Sequence, residues 1–273
     1  MAWLHSQYPS DFCIHLVHLY PHQLNMYGDR GNVQALWERA TRRGLPIQYH
    51  TIHPHQPWSL SLQEEADLYF IGGGQDSQQT LMMKDFTQNV SPVLHATLAQ
   101  RAVPMLAICG GYQLLGTHYR TAEGTTIEGI GLLPLHTLSE SPRLIGNVLL
   151  ETLPESPFGV KTLVGFENHG GRTYLDTTLK PLGNVRVGHG NNGKDGTEGV
   201  WWHHVIGSYL HGALLPKNPW LCDYLLEHAY QSAQKRWQAA HAHGFEFPDF
   251  VFLEDVLAAQ AHQAMRERLM GAC

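Results

Sequence analysis

The run Val103–Gly116, "VPMLAICGGYQLLG", decides how the chain is to be read. An apolar stretch of strand length stops at Cys109, two glycines follow at once, and a helical pattern begins at Tyr112. A side chain at a sharp strand-to-helix turn is held in strained backbone geometry and displayed above a sheet, and glycines on its C-terminal side remove the clashes of such a turn. Cys109 is therefore a candidate nucleophile, and the alternative is a buried structural cysteine closing a core strand. The positive end of a helix starting at Gly110 would favour the thiolate, the reactive form of the side chain.

Working outward, strands alternate with helices on the N-terminal side. "FCIHLVHLY" (Phe12–Tyr20), "LPIQYHTI" (Leu45–Ile52) and "ADLYFIGGG" (Ala66–Gly74) have strand composition. "GNVQALWERATRRG" (Gly31–Gly44) is an amphipathic helix closed by a glycine, and "SPVLHATLAQRA" opens a second helix with Ser91 as N-cap and Pro92 as its first residue. This order predicts an α/β fold, doubly wound around a mostly parallel central sheet, whose ligand sites gather at the carboxyl ends of the strands. From about Gly124 the chain becomes β-rich, with short runs punctuated by glycine and asparagine that suggest hairpins. Two helical patterns, "NPWLCDYLLEHAYQSAQKRWQAAHAHG" and "DVLAAQAHQAMRERLM", form a C-terminal tail.

Composition narrows the function classes. With 273 residues, 43% of them hydrophobic, the chain can bury a large core, and a net charge of −6 gives no basic footprint for nucleic acid or an anionic membrane. No stretch is long and apolar enough to span a bilayer, and the N-terminus lacks a charged region followed by an apolar one, so a cytoplasmic location is expected. Four scattered cysteines exclude a disulfide framework, and the 19 histidines show no helical ligand spacing with a supporting carboxylate, so no metal is expected.

A nucleophilic thiol needs a base and an oxyanion site. "VIGSYLHG" (Val205–Gly212) is strand-like and ends in His211, 102 positions after Cys109, which makes that histidine a candidate base. The glycines of "FIGGGQD" (Phe70–Asp76) leave backbone N–H groups unhindered, so Gly72, Gly73 and Gly74 with Gly110 could receive an oxyanion. A tight turn or a phosphate loop is the alternative, although neither of the usual phosphate-loop spacings is present.

Together "AICGGYQLLG", "FIGGGQD" and "GSYLHG" resemble the class I glutamine amidotransferases, in particular the CobB/CobQ-like branch. "LYPHQLNMYGDRGN", "TIEGIGLLPLHT", "RLIGNV", "GFENHGGRTYL" and "GNNGKDGTEGV" are similar to those members of the branch that serve peptidoglycan amidation. The resemblance spans residues 12–226, taken as the amidotransferase domain, with 227–273 as a helical extension.

The resemblance implies that Cys109 is the nucleophile, His211 the base and Arg143 a binding residue for L-glutamine, with Gly73, Gly74, Gly110 and Gln113 completing the substrate-binding set. A guanidinium pairs bidentately with an α-carboxylate, which suits Arg143 to that task. The resemblance further implies a heterodimer with a Mur ligase-like, MurT-like partner. That partner would carry the ATP and Mg chemistry, and the ammonia would amidate the D-glutamate α-carboxylate of lipid II at the inner face of the membrane. Corrin amidation and stand-alone γ-glutamyl hydrolysis are the alternatives. The chain departs from the wider superfamily at one point: where many members carry a glutamate two residues after the histidine, it has Ala213. Either a Cys–His dyad operates, or a carboxylate comes from elsewhere, for instance from the partner.

Overall fold

A computed structural model describes residues 7–242 and 244–271. Residues 1–6 of the N-terminal stretch read for a leader, together with His243 and Cys273, lie outside the described residues. The chain runs through β1 (Ile14–Leu19), α1 (Arg30–Arg42), β2 (Ile47–Ile52), α2 (Leu60–Glu65), β3 (Leu68–Ile71), α3 (Asp76–Asp85), α4 (Ser91–Gln100), β4 (Met105–Ile108) and α5 (Gly110–Leu114). Then come β5 (His118–Arg120), β6 (Thr126–Glu128), β7 (Leu135–Thr152), β8 (Thr162–Leu175), β9 (Gly183–Val187), β10 (Thr197–Glu198), β11 (Val200–Trp202) and β12 (Val205–Ser208). Helices α6 (Leu214–Lys217), α7 (Pro219–Ala240) and α8 (Val256–Gly271) follow.

The central sheet has the order β11-β12-β4-β3-β1-β2, and every pairing in it is parallel except β11 with β12. Strands β3, β4 and β12 are buried at every position, as expected of parallel strands covered on both faces. The class anticipated from alternating strands and helices is thus the one found. The β-rich second half forms a further sheet, β10-β9-β7-β5-β6, with β8 paired to β7 in a long antiparallel ribbon. That ribbon changes register between Ser139 and Leu144, a bulge that re-aims the side chains beside it.

Two expectations are corrected. Ser91 does not cap a new helix: α3 opens at Asp76 and passes through a wide turn at Phe86–Val90 directly into α4. The alternation of polar and apolar residues over Gln75–Val90 is too irregular to have marked this helix in the sequence. The boundary drawn between residues 226 and 227 falls inside α7, a continuous 22-residue helix that packs on β1 and β3.

The extension is also bolted to the core. Arg39 of α1 donates to Asp223 of α7 (2.7 and 2.6 Å) and to Asp255 just before α8 (2.9 and 2.5 Å). Arg43 donates to the Val251 carbonyl and pairs with Asp223 at 2.6 Å. Buried ion clusters of this kind contribute little net stability but fix registration, here the pose of α1 against α7.

Candidate active site

Four chain segments meet at the carboxyl edge of the central sheet. They are the loop after β1 with Asp29, the glycine loop after β3, the turn after β4 with Cys109, and the segment after β12 with His211. This is where an open parallel sheet places its ligands.

Cys109 has φ 49° and ψ −106°, a conformation that side chains rarely adopt. Backbone bonds hold it there: its amide donates to the Ser208 carbonyl (2.8 Å), and its own carbonyl accepts from the Gln113 amide (2.9 Å). Ser208 is steadied in turn by the buried Glu198, whose Oε1 accepts from the Ser208 hydroxyl (2.7 Å) and the Tyr209 amide (2.8 Å). Burial pushes the Glu198 carboxyl up to about 7. Helix α5 is only five residues long, so its dipole is a small influence on the thiol, and the cation facing Cys109 is His211.

His211 is fully buried, and its backbone is tied to Phe166 of β8 through the bonds His211 N–H to Phe166 O (2.7 Å) and Phe166 N–H to His211 O (3.3 Å). Its Nδ1 lies 3.1 Å from Oδ1 of Asp29, and the other oxygen of that carboxylate accepts from the Gly73 amide at 2.7 Å. Nε2 is buried without a hydrogen-bond partner among the described residues and is the nitrogen left to serve the neighbouring Cys109 thiol. The edge of the Tyr27 ring covers the imidazole, with centroids 4.9 Å apart. Burial works against the imidazolium, but the Cys109 thiolate and the Asp29 carboxylate outweigh it and push His211 up to about 10. Packing at the junction is close: a Cβ on Gly73 would lie 2.7 Å from His211 Cε1 and 3.2 Å from Cys109 Cβ.

A carboxylate thus stands beside the histidine although position 213 has none: it is Asp29 of the same chain. Ala213 is confined, since a Cβ on Gly31 of α1 would come within 2.6 Å of the Ala213 Cβ. The start of α1 takes the space beside His211 and brings its own acid. Sequence reasoning missed Asp29 because 182 residues separate it from His211. The available signal was a lone acid in the loop closing β1, in a chain whose usual acid position was empty.

The glycine assignments divide. Gly73 gives its amide to Asp29, so it orients the acid and is not free to receive an oxyanion. Gly74 and Gly110 abut: a Cβ on Gly110 would lie 2.8 Å from the Gly74 nitrogen. Both border Cys109, and their amides suit an oxyanion. Gln113 lines the cavity, but its amide is committed at both ends, accepting from Gln79 (2.9 Å) and donating to Tyr209 (3.0 Å). It braces the turn below Cys109.

Above Cys109 opens a cavity of about 440 Å³, bounded by the α3 start, the glycine loop and the β7–β8 ribbon. Arg143 reaches it from the bulge in β7. Its Nε donates to the Asn168 side chain (2.9 Å) and Nη2 to the Asn168 carbonyl (2.7 Å), which leaves Nη1 uncommitted. Cys109, Arg143, Gly74 and Gln113 thus line one cavity, and His211, Asp29 and Gly73 stand behind the thiol. No group of three or more metal-binding side chains occurs among the described residues, and no described helix is long and apolar enough to cross a membrane.

Comparison with known proteins agrees with this geometry. Residues 15–219 match the CobB/CobQ-like glutamine amidotransferase domain. The chain is 42% identical over 214 residues to the subunit GatD of the glutamine-hydrolysing lipid II isoglutaminyl synthase of Staphylococcus aureus (strain N315), covering 78% of this chain and 83% of that protein. It is 36% identical to the GatD subunit of Streptococcus pneumoniae (strain ATCC BAA-255 / R6), covering 78% of each. Among solved structures, PurLQS from Thermotoga maritima superposes with a TM-score of 0.52 at 18% identity, over 82% of this chain and 98% of that one, a likeness of fold. With a strained cysteine, a buried histidine and a family match across the whole central sheet, the chain belongs to the CobB/CobQ-like glutamine amidotransferase family.

Proposed function

We propose that this chain is the glutaminase subunit of a lipid II-amidating enzyme, releasing ammonia from L-glutamine for a Mur ligase-like partner. The observation that carries the chemistry is the buried relay Asp29–His211–Cys109 at the floor of a cavity whose wall bears Arg143. The similarity to two GatD subunits supports the choice of acceptor.

In this mechanism the glutamine α-carboxylate pairs with Arg143, and the side-chain amide rests on Cys109. The thiolate Sγ attacks the amide carbon, and the resulting oxyanion is received by the amides of Gly74 and Gly110. His211 gives the Nε2 proton to the leaving nitrogen, the C–N bond breaks, and ammonia departs from a γ-glutamyl thioester. A water then passes a proton back to Nε2 while its oxygen attacks the thioester, the C–S bond breaks, and glutamate leaves with the thiolate restored. Asp29 holds the imidazole so that the same nitrogen serves both steps. Activation of the acceptor carboxylate with ATP and Mg falls to the partner, at the cytoplasmic face where a lipid-linked substrate is reached.

The test is to measure ammonia release from glutamine by this chain, and lipid II amidation by this chain with a MurT-like ligase, ATP and lipid II. Amidation should require both polypeptides and an intact Cys109. Amidated lipid II from this chain alone, or from Cys109→Ala with the ligase and glutamine, overturns the proposal.

A further inference from the structure

A carboxyl group lies buried beneath the site and takes no part in the chemistry above. Glu198 ends β10 in the second sheet, and Val200 begins β11, the edge strand of the central sheet. Gly199 turns the corner between them at φ 63°, so close to β12 that a Cβ there would lie 2.5 Å from the Gly207 carbonyl oxygen. The corner delivers Glu198, none of whose surface is exposed, to the carboxyl end of β12. There its Oε1 accepts from the Ser208 hydroxyl (2.7 Å) and the Tyr209 amide (2.8 Å), and the Ser208 Oγ accepts in turn from the Leu210 amide (3.0 Å). The three residues leading into His211 are thus held by one carboxylate oxygen, directly or through one hydroxyl. The Ser208 carbonyl also accepts from the Cys109 amide at 2.8 Å, so the same hold reaches the nucleophile.

The corner itself is clamped from its other side. Asn191 accepts from the Gly199 amide (2.9 Å) and donates to the Gly199 carbonyl (3.0 Å), while its Oδ1 accepts from the hydroxyl of Tyr112 in α5 (3.3 Å). Packing alone does not call for a carboxyl at position 198. Its Oε2 has no hydrogen-bond partner among the described residues, and burial pushes the group up to about 7. A half-satisfied buried carboxyl is costly, and an apolar side chain would avoid that cost while releasing the Ser208 hydroxyl and the Tyr209 amide. We infer that Glu198 is a positioning residue for glutamine hydrolysis: through Ser208 and Tyr209 it sets the placement of the His211 imidazole against the Cys109 thiol. This rests on the glutaminase function proposed above and adds to it a residue that touches neither substrate nor reacting atoms. A displacement of about 1 Å between reacting groups can cost on the order of 100-fold in rate, so a loosened β12 end is felt in the chemical step.

The experiment compares the full-length chain with Glu198→Ala, Glu198→Gln and Ser208→Ala, measuring kcat and KM for glutamine, the NMR titration of the His211 ring, and folding by circular dichroism. Glu198→Ala should lower kcat on the order of 10- to 100-fold and leave KM nearly unchanged. The His211 titration should move down from about 10, because the Cys109 thiolate that raises it is no longer held against the ring. Glu198→Gln keeps an oxygen that can accept from both donors and should recover most of the lost kcat. Ser208→Ala removes the hydroxyl alone and should shift kcat and the titration in the same direction by less. Wild-type kcat with an unmoved titration in folded Glu198→Ala overturns the inference, and so does a loss carried wholly by KM. If Glu198→Ala does not fold, Ser208→Ala decides, and wild-type kcat and titration there overturn it. The glutaminase function fails separately, if the wild-type chain releases no ammonia from glutamine either alone or with the Mur ligase-like partner.

Discussion

Asp29→Asn is the sharpest perturbation of the relay. The Asp29 carboxylate serves two donors, His211 Nδ1–H at 3.1 Å and the Gly73 amide at 2.7 Å, and an asparagine has one accepting atom for the two. If its oxygen turns to His211, two N–H groups oppose each other at Gly73, and a buried unsatisfied donor costs about 1–3 kcal/mol. If its nitrogen turns to His211 instead, the imidazole must carry its proton on Nε2, the nitrogen that has to exchange protons with thiol, ammonia and water. Either way the acid–base step loses most of its value, which corresponds to a fall in kcat of roughly 10²- to 10⁴-fold with KM for glutamine nearly unchanged, since Asp29 lies behind the thiol and outside the cavity lining. The assay is ammonia release at saturating glutamine, by the chain alone and with the Mur ligase-like partner proposed above. It is accompanied by an NMR titration of the His211 ring, which should move down from about 10 because Asp29 is one of the groups that raises it. Unchanged kcat and an unmoved imidazole titration in Asp29→Asn would refute the argument. Activity lost by the isolated chain but fully restored by the partner would place the orienting acid on the partner.

Three further outcomes are expected. In Cys109→Ala the His211 ring should titrate well below 10, because the thiolate is the strongest group raising it, and an electrophilic glutamine analogue that labels the wild type at Cys109 should leave Cys13 and Cys222 unlabelled. The raised His211 contributes stability that is fully present below its ordinary value of 6.5 and is lost as pH rises through about 10, so denaturant unfolding should show wild type losing stability over that window and His211→Ala losing less. In Gly73→Ala the added Cβ would sit 2.7 Å from the His211 ring; the imidazole must shift, and kcat should fall about 10²-fold while circular dichroism still reports the native fold.

Much of the central sheet was legible because parallel strands buried on both faces are apolar runs, and β3 and β4 read that way, while β1 kept a strand composition despite His15 and His18. Cys109 and His211 were legible because each ends such a run beside a glycine. Asp29 was not, since its place beside His211 arises from a loop that only the strand order brings there, and it is an ordinary acid in its own neighbourhood. Gln113 and Gly73 were given ligand-binding roles on motif alone, whereas their hydrogen bonds go to Gln79, Tyr209 and Asp29. Motif position marks who is present at a site, and only the pairing of donors with acceptors shows which atoms are still free.

The backbone at Cys109 bears on how this family can age. Holding a side chain at φ 49° and ψ −106° costs on the order of 1–3 kcal/mol, whereas a glycine would occupy the same turn without strain. Random substitution at this codon therefore includes one replacement that leaves the chain easier to fold and without its thiol. Only continued demand for ammonia opposes that change. In a lineage whose cell wall no longer needed the amide, position 109 would be among the first to drift to glycine, while the sheet and the cavity persisted in a well-folded protein without a nucleophile.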